Sequence, residues 1–199
     1  MSYNVSWAML FYNEEECIET ALKCFGQFTR EIIAVDTGST DGTRDIVKKY
    51  TDKIYDWDFK DRDFAKARNF SLSKCTSSWI MMIDPDEWLE EDDFEKFGNV
   101  LLHADSPDNP GYDAFRFPRY NWLDKEKTKE YPVSGAKDPQ TRLYKNNGVI
   151  KYALPIHEVI VGAKKTCFVQ NVGIQHGHWA VKASRRQHMD EIYNYYNNK

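Results

Sequence analysis

The feature that most constrains this chain is a repeated order in its first hundred residues: a short apolar run, a polar turn, then a helical pattern. Val5 to Tyr12 is rich in strand formers. Asn13 offers a helix cap, and Glu14 to Gly26 carries Ile18, Leu22 and Phe25 on one face. Glu31 to Val35 reads as a second strand, Thr37 to Gly42 as a turn and Thr43 to Tyr50 as a helix. A strand at Lys53 to Trp57, a helix at Phe64 to Lys74, the apolar strand Trp79 to Ile83 and a helix at Glu91 to His103 continue the series. Strands alternating with helices predict an α/β fold, with a mostly parallel central sheet and helices on both faces. Ligands of such open sheets bind beyond the carboxyl ends of the strands. Asn13-Glu14, Asp36-Thr37 and Asp84-Pro85-Asp86-Glu87 all fall at those ends, so one edge of the sheet is expected to carry a site.

Ser106 to Gly111 is a loop signal, after which the texture changes to strands. These are Tyr112 to Tyr120, Thr141 to Lys145, Val149 to Tyr152, Ile156 to Val161 and Cys167 to Gln175. Asp124 to Pro139 reads as a polar loop and Lys182 to Asn198 as a polar helix. The expectation is a single domain over 1–199, with a smaller strand-rich second half. The formal charge of −4 argues against nucleic acid as a partner, because that binding needs a basic face. No apolar stretch approaches the ~18 residues of a membrane span, and the N-terminus carries no signal-peptide pattern. Cys17, Cys24, Cys75 and Cys167 form no C-x-x-C pair and read as free thiols in a reducing compartment. A cytoplasmic protein is expected, membrane-associated if its acceptor is carried on a lipid.

The chemistry lies in four segments. Asp84 and Asp86, one residue apart at a strand end, can face one ion, and oxygen ligands select Mg²⁺ or Mn²⁺. Alone, D-x-D is also the pattern of a solvated turn. Val35 to Thr43 (VDTGSTDGT) is a strand end, a tight turn and a helix start. Its amides could meet an anion, or it could be a turn capped by Asp41 or Ser39. It is neither G-x-G-x-x-G nor a Walker A loop. Asp63 to Asn69 (DFAKARN) opens a helix, and the planar fork of Arg68 suits diphosphate oxygens as well as a surface salt bridge. His176-Gly177-His178 offers imidazoles to a metal or to a turn.

Together and in this order, SWAMLFYNEE from Ser6 to Glu15, VDTGSTDGT, DFAKARN and DPDEW resemble the family 2 glycosyltransferases, inverting enzymes of the GT-A fold. R-L-Y at Arg142 to Tyr144 and I-H-E at Ile156 to Glu158 are similar to short-chain members. The resemblance implies a nucleotide-sugar-binding half over 1–104 and an acceptor-facing half over 105–199. It implies that Asn13, Glu14, Asp36, Thr37, Arg68, Asp84 and Pro85 bind the nucleotide-sugar, most commonly a UDP-sugar. It implies Mn²⁺ or Mg²⁺ held by Asp84 and Asp86, with Asp86 the more direct ligand and His176 or His178 completing the shell.

Inversion requires a carboxylate to deprotonate the acceptor hydroxyl from the face opposite the leaving diphosphate. The Glu-Asp or Asp-Asp pair usual at a helix start has no clear copy here. Glu158 is the first choice of base and Asp138 the second. Strand alternation would turn His157 and Glu158 to opposite faces, so both serve one site only if the segment is a loop. A glycan, a lipid-linked saccharide or a protein side chain could be the acceptor, and the chain could be a domain of a larger enzyme or a homo-oligomer. Two alternatives are a sugar-nucleotide-forming nucleotidyltransferase, disfavoured by Tyr12-Asn13-Glu14-Glu15 where a Gly-rich loop would stand, and a non-catalytic nucleotide-sugar-binding module.

Overall fold

The computed structural model describes residues 3–128, 138–177 and 190–196. The first half alternates as β1 (Val5–Phe11), α1 (Ile18–Gly26), β2 (Glu31–Asp36), α2 (Thr43–Val47), β3 (Ile54–Asp56), α3 (Phe64–Leu72), β4 (Trp79–Met82), β5 (Glu87–Leu89) and α4 (Phe94–Ala104). The second half adds β6 (Ala114–Phe117), β7 (Arg119–Trp122), β8 (Gln140–Lys145), β9 (Lys151–Ala153), β10 (Val159–Val161), β11 (Thr166–Phe168) and β12 (Ile174–Gly177). A last helical segment, α5, covers 190–196. The main sheet has seven strands in the order β11-β6-β8-β4-β1-β2-β3. β4, β1, β2 and β3 run parallel, whereas β8 is antiparallel to both β4 and β6. Strands of both halves thus share one sheet, and it is mostly parallel as expected.

Both faces of this sheet are covered, and alternation along the strands shows it. Trp7, Met9 and Phe11 of β1, with Trp79 and Met81 of β4, pack into the core under α1 and α4. Ala8, Ile80 and Met82 point the other way, and Leu10 joins Ala67 of α3 and Ile192 of α5. A central strand buried on both faces is apolar at nearly every position, which is why β1 reads as an apolar run; its one polar residue, Ser6, has its hydroxyl bonded to Glu31 and accepts from the Ser77 amide. α1 buries Ile18, Ala21, Leu22 and Phe25, the spacing of a single helical stripe. Asp63 caps α3 by accepting from the Lys66 amide at 3.0 Å.

Several boundaries differ from the sequence reading, each for a local reason. Asn13 does not cap a helix starting at Glu14. It sits at φ 55° and its side chain accepts from the Thr40 and Asp41 amides, so α1 begins only at Ile18 after a turn closed on the Glu14 carbonyl. Asp41, not Ser39, takes the Thr43 amide at the start of α2. Pro118, which has no amide proton, divides the expected strand 112–120 into β6 and β7. The expected strand 156–161 is a loop until Val159, with His157 at φ 51°. Trp88 lies in β5, partly buried against the main core. Parts of the expected loop 124–139 and of the expected tail helix 182–198 lie outside the described residues.

A smaller sheet, β5-β12-β7, sets up the site. β5 follows the Asp84–Asp86 turn directly and pairs antiparallel with β12, which places His176 opposite Glu87. β12 also runs parallel to β7, placing His176 beside Asn121. The Gly177 amide bonds to the Asp86 carbonyl at 2.9 Å and ties the late strand to the acidic turn.

Candidate functional site

A cavity of about 320 Å³ opens at the carboxyl ends of the parallel strands. Leu10, Phe59, Phe64 and Ile156 give it an apolar wall, and Tyr193 of α5 closes one side. Arg68, Asp84, Arg119, Glu158 and His176 give it a charged wall. His157 and Glu158 both reach it because their segment is a loop, and the His157 ring lies 5.5 Å from that of Tyr193.

The charged wall is one network. Arg68 donates through Nε to Glu158 at 2.6 Å and through a terminal nitrogen to Asp84 at 3.0 Å. Its guanidinium lies 5.4 Å from the centre of the Tyr152 ring. Arg142 donates to the other Asp84 oxygen at 2.8 Å and to Glu87. Glu87 in turn accepts the Asp84 amide at 3.1 Å and lies 3.5 Å from Arg119, which also pairs with Asp138. Burial alone would raise the Asp84 pKa, but Arg142 and Arg68 outweigh it and hold the group well below the usual carboxylate range. Glu87 is completely buried, and there burial wins over Arg142, so its pKa is raised. Burial works against a charged Arg68, yet Asp84 and Glu158 more than offset it.

Beside the network, Asp86 and His176 face each other, with Oδ2 and Nε2 3.4 Å apart. The far ring nitrogen of His176, Nδ1, meets Asn121 Oδ1 at 2.7 Å. With the proton on Nδ1, that bond turns the Nε2 lone pair toward Asp86, the arrangement that orients metal-binding histidines. Burial favours the neutral ring, but the Asp86 carboxylate outweighs it and the pKa is raised. Two donors at this separation suit one ion with bonds of about 2.1 Å. Among the described residues no group of three or more His, Cys, Asp or Glu forms a complete metal shell. A hard ion here would therefore take its remaining ligands from a phosphate and water, as Mg²⁺ usually does. The donor set fits a divalent ion.

The structure brings together Glu14, Thr37, Arg68, Asp84, Pro85, Glu158 and His176 on the cavity wall. It places Asn13 and Asp36 behind that wall. Asn13 braces the turn at Thr40–Asp41. Asp36 accepts the Gly38 and Ser39 amides and pairs with Arg44 at 3.0 Å. Asp84 and Asp86 are not used alike, since both Asp84 oxygens are held by guanidinium groups and Asp86 faces His176. Asp138 stands behind Arg119, away from the wall. His178 lies outside the described residues. Sequence reasoning did not assign roles to Arg119, Arg142 or Asn121. The signal for Arg142 was present, as an arginine in a strand that is otherwise apolar at its centre.

The family model described as glycosyl transferase family 2 matches residues 6–151. The lipopolysaccharide core biosynthesis glycosyltransferase LpsC of Rhizobium meliloti is 35% identical over 100 residues, covering 47% of this chain and 35% of its own. TarS of S. aureus, solved in complex with UDP, superposes with a TM-score of 0.64 at 17% identity over 89% of this chain and 60% of its own. The mannosyltransferase PcManGT of Pyrobaculum calidifontis, solved with GDP-Man and Mn²⁺, gives a TM-score of 0.59 at 16% identity over all of this chain and 65% of its own. The chain spans about a third of the length of the curated relatives it matches.

Proposed function

This chain belongs to glycosyl transferase family 2, and from that premise we propose that it transfers a sugar from a UDP-sugar to a hydroxyl acceptor, with inversion and with Mn²⁺ or Mg²⁺. The observation that carries this reading is that Arg68, Asp84, Glu158 and His176, from four separate segments, line one cavity at the ends of parallel strands.

Each wall has a task. The apolar wall of Leu10, Phe59 and Phe64 suits the base and ribose, with Asp36 and Thr37 at the adjoining turn. Arg68 and Arg119 suit the diphosphate, since a planar fork matches phosphate oxygens. Asp86 and His176 would hold the ion, which supplies positive charge to the departing diphosphate. Asp84 holds Arg68 in place, and Glu87 fixes the turn that carries Asp84.

Glu158 is the proposed base, since it lines the cavity and Asp138 does not. The acceptor oxygen forms a bond to the anomeric carbon and loses its proton to Glu158. The bond from that carbon to the diphosphate breaks, and the nucleoside diphosphate keeps the electron pair. Arg68 holds the Glu158 carboxylate through Nε, and an arriving diphosphate competes for the same guanidinium.

Proteins of this fold hold UDP in one case and GDP-Man with Mn²⁺ in another, so the donor must be tested broadly. Hydrolysis of UDP-, GDP- and dTDP-sugars is measured with Mn²⁺ and after chelation. Slow release of UDP from one UDP-sugar, stopped by chelation, is the expected outcome. Indifference to all three donor classes, with no rise in melting temperature in their presence, would contradict the reading.

A further inference from the structure

We propose that the outer face of the β9–β10 hairpin is a docking surface for an anionic lipid bilayer. In this antiparallel pair, Val161 is opposite Lys151, Val159 opposite Ala153, and Ile160 opposite Tyr152. Directly opposed residues share a face. Ile160 and Tyr152 pack inward against the core around Tyr144, so Val159, Val161, Lys151 and Ala153 form the outer face. The large apolar side chains that stand exposed among the described residues concentrate here. Val149 and Leu154 are each 56% exposed, Val159 46% and Val161 36%. Val149 lies against the Gly162 backbone and extends the apolar face of Val159 and Val161 into a ridge.

Two exposed lysines flank this ridge: Lys151 stands on the same face opposite Val161, and Lys164 follows β10 with its amide held by the Asp113 carboxylate. The Lys145 and Lys165 ammonium groups turn away, to the Trp79 ring and the Pro110 carbonyl. Within 145–168 the one acidic residue, Glu158, is turned inward to Arg68. Aliphatic side chains flanked by lysines match an interface of acyl chains and anionic headgroups. A second copy of the chain fits less well, because a two-fold contact would set lysines against lysines. The acidic remainder of the chain would be repelled from such a surface, which fixes the orientation. The ridge runs into Ile156, His157 and Glu158 at the cavity, so docking sets the cavity mouth toward the bilayer.

The test is co-sedimentation with vesicles of phosphatidylcholine mixed with phosphatidylglycerol, against phosphatidylcholine alone. The chain is expected to bind the mixed vesicles and to be released by salt. Lys151→Ala and Lys164→Ala are each expected to weaken partitioning about fivefold. Val161→Ser with Val149→Ser tests the apolar part, and unchanged melting curves show that these exposed positions leave the fold intact. UDP binding serves as a separate readout, so failure here and failure of the transferase reading are distinguishable. Absence of binding to the mixed vesicles, or binding unaffected by all four substitutions, overturns the proposal. So does a dimer in sedimentation velocity that the valine substitutions dissociate, since the face would then join two copies.

Discussion

Arg142→Ala is expected to lower the unfolding free energy by about 3–5 kcal/mol, the cost of leaving buried charges without their partner. Arg142 is 5% exposed and bonds to both Asp84 and Glu87, the second of which is completely buried. Removing the guanidinium leaves two carboxylates close together, with only Arg68 and the more distant Arg119 to offset them. Urea unfolding at neutral pH measures the loss. Its pH dependence follows from Asp84. A carboxylate whose folded pKa is depressed gives stability above its unfolded pKa, and that stability is lost as pH falls through the folded value. Arg142 is the main source of the depression, so the deficit of the variant should be largest near neutrality and shrink as the medium becomes acidic. Adding Glu87→Gln should recover part of the loss, because it removes one of the two stranded charges. A loss below about 1 kcal/mol, the range of exposed pairs, would mean that this network is solvated and not a structural element of the site.

Glu158→Gln is expected to lower turnover by roughly 10²- to 10⁴-fold, the range for losing a general base. UDP affinity should change little. The amide keeps an oxygen for Arg68, so the cavity wall is preserved while proton acceptance is lost. Single-turnover transfer, measured beside UDP binding, separates the two effects. Asp138→Asn is the comparison. Its carboxylate supports Arg119 from behind, so a smaller loss of rate with weaker donor binding is expected there. If Asp138→Asn were the more damaging for turnover, the assignment of the base would be reversed.

The parallel half of the fold was legible because its strands are buried on both faces. β1, β2 and β4 are mostly apolar runs followed by polar residues, and those ends mark the site edge. The antiparallel part was harder to read. β5 is three residues long and follows a turn, and β12 reaches it from almost ninety residues later in the chain, so no local pattern announces the pairing. That pairing brings His176 to Asp86. Local competition also misled the reading at Asn13, whose side chain serves a turn in a distant segment and not the helix beside it. The roles of Arg119 and Arg142 follow only from three-dimensional proximity to Glu87 and Asp84.

Titration calorimetry of UDP with and without Mn²⁺, on the unmodified chain and on Asp86→Ala, bears on the site most directly. The expected result is Mn²⁺-dependent UDP binding that disappears when the Asp86 carboxylate is removed. UDP binding of equal strength with and without Mn²⁺ or Mg²⁺, or undiminished metal dependence in Asp86→Ala, would contradict the assignment of Asp86 and His176.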